Sequence, residues 1–206
     1  MARDIYIVRH GNTFDTGDVV TRVGARTDLP LSKSGQTQAE QLAAHFAFTL
    51  PEGFAAATAG PLIRTQETAM TILAMQDAPP SLETADFLRE IDYGPDENQP
   101  EPAVLARIGQ DALKAWETSA TPPPGWIVDP DALTEEWRNF FAREAARSAD
   151  DDRPILAVTS NGVARFALAA AQAAGSHPLK LRTGAYGVVR VTEGGDAMIQ
   201  GWDVRP

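Results

Sequence analysis

With 28 acidic side chains against 18 basic ones in 206 residues, the chain carries a formal charge of −10 and presents a surface that repels nucleic acid and anionic membranes. Any anion it binds must therefore be small and enter a local basic pocket. A hydrophobic share of 43% suffices for one sizeable core, and the absence of cysteine excludes disulfides and thiolate-held metals. No apolar run approaches the ~18 residues of a membrane span, and the first one is too short and too charged for a signal peptide. The expected setting is the cytoplasm, with neither nucleic acid nor membrane as partner; nothing in the sequence specifies an oligomeric state.

In chain order, the first element is the apolar run IYIV (5–8), followed by a helical pattern in which Leu42, Ala43, Phe46 and Leu50 recur on one face. FAAAT (54–58) comes next, then a second helical pattern carried by Leu62, Ala69, Ile72 and Leu73. After an irregular stretch come ILAV (155–158), an alanine-rich helix over 163–174 with Gly175 as its stop, and GVVRV (187–191). The short, nearly continuous apolar runs suit strands buried on both faces, and their alternation with helices predicts a three-layer α/β/α sandwich around a mostly parallel sheet.

Residues 94–152 break that alternation, with proline clusters around two helical patterns, 103–117 and 132–147. In the second, Leu133, Trp137, Phe140, Phe141 and Ala145 form an apolar stripe. The stretch is too long for a plain loop and reads as a helical insertion that packs over the sheet and the active site, within a single domain spanning 1–206. SADDD (148–152) reads as a solvated helix end, and Trp116, Trp126, Trp137 and Trp202 as packing residues.

In an open α/β sheet the ligand crevice lies beyond the carboxyl ends of the strands, where helix N-termini also point. That rule brings together VRHGNT, TAGPLIRTQET and TSNGVAR, and with them Arg9, His10, Arg64, Ser160 and Asn161. Guanidinium forks match phosphate oxygens, so two arginines and helix N-termini around one histidine describe a site for a tetrahedral oxyanion. Pro61 suits the first helical turn and sets Arg64 near that helix's positive end. A neutral His10 held among these cations is equipped to attack phosphorus.

RHGNT after an N-terminal strand, DLPLSKSGQTQAEQLA (28–43), PLIRTQETA (61–69), LREIDYG (88–94), and RTGAYGVVRV with the closing GWDVRP resemble, in this order, segments of the histidine phosphatase superfamily, the phosphoglycerate mutase-like family. The resemblance implies that His10 is the nucleophile, that Arg9 and Arg64 hold the phosphoryl oxygens, and that Glu90 first protonates the leaving oxygen and then activates water. It further implies that Thr13 orients the phosphate and that no metal or organic cofactor is needed. Ser160 stands where the family carries a second histidine, a loss worth roughly 10²–10³ in rate by analogy with one oxyanion donor. The Asn161 amide is a donor able to compensate, while Thr16 replaces an asparagine of many relatives; neither His45 nor His177 is placed to substitute. Arg26 and Arg182 read first as solvated, with a place lining the substrate entrance as the alternative.

The expected function is hydrolysis of a small phosphorylated metabolite through phosphohistidine at His10. The alternative is a phosphate-binding or regulatory protein with little turnover because of Ser160. A mutase is less favoured, since no second basic cluster is visible. A serine hydrolase is excluded: VTSNG lacks the first glycine of G-x-S-x-G, and no acid lies between Ser160 and the one later histidine, His177. Specificity would reside in the insertion and in loop 14–27, where the sequence offers no code.

Overall fold

The computed structural model describes residues 2–147, 151–173 and 175–206. Six strands, β1 (Ala2–Arg9), β2 (Ala56–Ala59), β3 (Leu82–Thr84), β4 (Ile155–Thr159), β5 (Tyr186–Thr192) and β6 (Ala197–Val204), form one sheet in the order β3-β2-β4-β1-β5-β6. The first four are mutually parallel, with Ile5 opposite Ile155 and Ala57 opposite Leu156; β5 runs against β1, and β6 against β5.

Successive side chains of a strand point to opposite faces, and the core divides accordingly. Val8, Leu156 and Val158 pack with Leu42 and Phe46 of α1 (Lys33–Thr49) and with Ala69 and Ile72 of α2 (Ile63–Leu73). Their neighbours Ile5, Ile7, Ile155 and Ala157 face the other way, where Trp137, Phe140 and Phe141 of α5 (Pro130–Ala145) join Val163 and Ala167 of α6 (Asn161–Ala170). The result is the α/β/α sandwich with a mostly parallel sheet. Among the described residues no helix is long and apolar enough to cross a membrane.

The stretch expected to be one insertion divides in two. Its first helical pattern breaks at Gly109, whose φ of 81° no ordinary helix residue adopts, into α3 (Glu101–Ile108) and α4 (Gln110–Ser119). This pair sends Glu101, Leu113, Trp116 and Glu117 to the wall of the cleft described below. The second pattern is α5, a layer of the sandwich: its apolar stripe lies on the sheet beside α6, and the Trp137 indole N–H donates to the Val163 carbonyl at 3.0 Å. Residues 148–150 of the expected solvated helix end lie outside the described residues; Asp151 of the same stretch pairs with Arg153. The alanine-rich helix is also shorter than expected: α6 ends at Ala170, and Gln172 already has a φ of 53°. Beyond the strands read from apolar runs, the sheet gains β3, three residues long at its edge, and β6.

Candidate active site

Three corners meet at the carboxyl ends of β1, β2 and β4. They are tied by main-chain bonds, His10 N–H to the Thr159 carbonyl at 3.1 Å and Gly60 N–H to that of Val158 at 3.0 Å. Gly11 follows His10 because a side chain there would meet the Gly35 carbonyl, 2.3 Å from where its Cβ would stand, so the chain leaves β1 directly against the start of α1.

His10 is buried, and its Nδ1 lies 2.7 Å from the Gly11 carbonyl. A carbonyl only accepts, so Nδ1 carries the proton and Nε2 the lone pair. Arg64 Nε donates to that Nε2 at 3.3 Å, while its terminal nitrogens donate to the Thr27 and Gly24 carbonyls at 2.9 and 3.2 Å. Burial first, then the charges of Arg64 and Arg9, hold the imidazole well below its ordinary pKa of 6.5, against a smaller opposing effect of the Gly11 bond. His10 is therefore a neutral base at physiological pH with its reactive nitrogen defined.

Around it stand polar atoms whose valences are open. Arg9 donates from one terminal nitrogen to the Leu181 carbonyl at 2.8 Å, yet its Nε is buried without a partner. Ser160, fully buried as the N-cap of α6, makes no capping bond through its side chain, and its Oγ is likewise unpartnered. Buried polar groups left unpaired are costly; Arg9 lines the cleft described below, whereas Ser160 and Arg64 are fully buried behind its lining.

Glu90, also buried, accepts from the Ile91 N–H at 2.9 Å and from the Gly162 N–H at 3.3 Å. A Cβ at Gly162 would stand 2.1 Å from the Glu90 carboxylate, so the glycine lets the start of α6 press directly on this acid.

Thr13 and Asn161 line the cleft together with Arg9, His10 and Glu90, in a volume of about 920 Å³. The Asn161 amide oxygen is engaged by the Leu181 N–H at 2.8 Å, so its first role is to position a loop. Thr16 is exposed and lies outside the cleft lining, as does Arg26, which pairs with Asp92. His45 bonds to the Tyr186 hydroxyl at 2.9 Å, and neither it nor His177 reaches the cleft. Arg182, read as solvated, is exposed and also lines the cleft.

Sequence reasoning missed Arg165. It lies over the Trp116 ring at 3.9 Å and donates to the Trp116 carbonyl at 2.6 Å. Burial lowers its pKa to about 10, with Tyr93 and Glu90 acting in the opposite direction, so it remains a cation beside Glu90. A lone charge in the apolar helix NGVARFALAA was the signal. Lys180 and Arg205 were missed as well, and both line the cleft. Among the described residues no group of three or more His, Asp or Glu side chains is arranged to hold a metal ion.

Comparisons with known proteins agree with this architecture. The family model described as "Histidine phosphatase superfamily (branch 1)" matches residues 5–202. A solved structure described as mycobacterial hydrolase 1 is 18% identical with a TM-score of 0.81, each chain covered in full. A mycobacterial glucosyl-3-phosphoglycerate phosphatase solved with inorganic phosphate is 18% identical, TM-score 0.76, over 98% of both chains. The phosphoglycerate mutase of Bacillus anthracis is 16% identical, TM-score 0.79, over 98% of this chain and 93% of its own. None of the curated proteins matches the chain.

Proposed function

The chain belongs to the histidine phosphatase superfamily (branch 1), and from that premise and the geometry of its corner we propose that it hydrolyses a small phosphomonoester through phosphohistidine at His10. The observation that carries the reading is the His10 ring, neutral by burial and by two neighbouring guanidinium groups, its proton fixed on Nδ1 and its lone pair on Nε2.

In the first step Nε2 attacks phosphorus as the bond to the leaving oxygen breaks, and the Glu90 carboxyl gives its proton to that oxygen. Arg9, through its open Nε, and Arg64 hold the phosphoryl oxygens, with Thr13 at the cleft wall orienting them. In the second step Glu90, now a carboxylate, takes a proton from water, the oxygen attacks phosphorus, and the bond to Nε2 breaks to release phosphate and restore His10. Ser160 stands where the family's second histidine would be, and its open hydroxyl supplies one hydrogen bond to the phosphoryl group in place of an imidazole. Asn161 serves by holding the Leu181 segment against Arg9. No metal or organic cofactor enters either step.

The test is phosphate release from a panel of phosphomonoesters by the wild type and by His10→Ala. Turnover that collapses by about 10³-fold or more in the variant is expected. A folded wild type that binds phosphate and vanadate yet releases nothing would favour the alternative, a phosphate-binding protein disarmed at Ser160.

A further inference from the structure

The cleft is asymmetric, and the asymmetry comes from the sheet. Because β5 runs against β1, the chain enters β5 where the parallel strands end, and the reversal into β6 returns the tail to the same edge; Tyr186 stands opposite both Val8 and Val204. Residues 180–183 and Arg205 are thereby delivered beside the phosphate corner.

That segment is held firmly. The Leu181 N–H donates to Asn161 Oδ1 and its carbonyl accepts from Arg9, both at 2.8 Å; the Thr183 hydroxyl donates to Asn12 Oδ1 at 2.5 Å, and the Gly184 N–H to the carbonyls of Arg9 and His10 at 3.3 Å. Leu181 is fully buried, so Lys180 and Arg182 on either side project from a fixed backbone into the cleft lining, where Arg205 joins them. Arg182 is neutralised by Asp203 at 2.6 Å, whereas Lys180 and Arg205 form no ion pair with a carboxylate among the described residues. Across the cleft, Leu113 and Trp116 make an apolar patch beside Glu117, which acts on the Arg165 charge, and the Arg22 charge is balanced by Glu101 at 2.6 Å. A chain of net charge −10 thus leaves two uncompensated cations on one wall, next to the arginine that faces the phosphate.

We propose that the alcohol released from the phosphoester carries a second anionic group, a carboxylate or a second phosphate, held by Lys180 and Arg205. The proposal rests on the phosphomonoesterase reading and names its substrate class.

Calorimetric titration of the His10→Ala protein with glycerol 3-phosphate, 3-phosphoglycerate and glycerol 1,3-bisphosphate tests it on one carbon skeleton. At least one of the two-anion ligands is expected to bind about tenfold or more tightly than glycerol 3-phosphate, and which one does so separates carboxylate from phosphate. Adding Lys180→Ala and Arg205→Ala, both at exposed positions and checked for folding by circular dichroism, should bring the three affinities within about twofold. Equal or undetectable binding of all three ligands, or a preference that survives the double substitution, overturns the proposal. Wild-type phosphate release from the same compounds is read separately: its absence defeats the phosphomonoesterase reading, while the ratio of affinities still decides the second anion.

Discussion

The floor of the cleft and its rim are built on opposite terms. At the floor, His10 and Glu90, with Arg64 and Ser160 behind them, are buried, and the first three are fixed by bonds to main-chain groups or to one another. On the rim, Lys180, Arg182 and Arg205 are exposed, and Arg22 is held by a carboxylate on another element. Main-chain bonds to buried groups fix geometry to fractions of an ångström, while exposed ion pairs contribute little and tolerate exchange. On the proposed reading, the floor governs which bond is broken and the rim governs whose.

Breaking the floor should therefore cost far more than breaking the rim. Glu90→Gln keeps the shape and removes the transferable proton, and kcat should fall by about 10²–10⁴-fold, read by single-turnover phosphate release. Loss of activity confined to KM would place Glu90 in binding instead. The protonation of His10 sharpens the same contrast. Its folded pKa is depressed below the unfolded value, so the stability that comes from burying it neutral is present above about pH 6.5 and is lost as pH falls toward the folded pKa. Titration of the His10 ring by NMR should find its midpoint well below 6.5, and the acid limb of kcat/KM should lie there too. A midpoint at or above 6.5 would mean that burial and the two guanidinium groups do not act as the geometry requires.

Smaller effects lie at the edge of the floor. Ser160→Ala removes a hydroxyl that is buried without a partner, so thermal stability should hold or rise by up to about 1 kcal/mol, while phosphate affinity should drop by about tenfold. A stability loss without an affinity loss would make the hydroxyl structural. The smallest change belongs to the rim: Glu101→Gln, which frees Arg22, should alter the free energy of unfolding by less than about 1 kcal/mol in urea titration. A larger loss would show that α3 is anchored by this pair and not by its apolar face.

The floor was legible in the sequence for the reason that makes it rigid. His10, Arg64 and Ser160 each sit within a few residues of a strand end or helix start, so local pattern and the strand-end rule sufficed to bring them together. The rim was not, because its members are set by the directions of β5 and β6, and a surface arginine carries no mark of which cleft it faces. No second basic cluster was visible in the sequence; Lys180 and Arg205 lie far apart in the chain, yet both line the cleft. The α5 stripe shows the same limit: its periodicity announced a buried face and its length a segment packed over the sheet, but not that α6 lies beside it. Arg165 was the avoidable miss, a charge standing alone among alanines.

The reversal of β5 also has a practical side at the bench. Ala2 pairs with Thr192 at the ends of the strands remote from the cleft, whereas Val204, opposite Tyr186, lies at its mouth. A fluorophore, affinity handle or surface tether joined ahead of β1 leaves the entrance clear, but one joined after β6 would stand among the rim cations and compete with whatever ligand they hold.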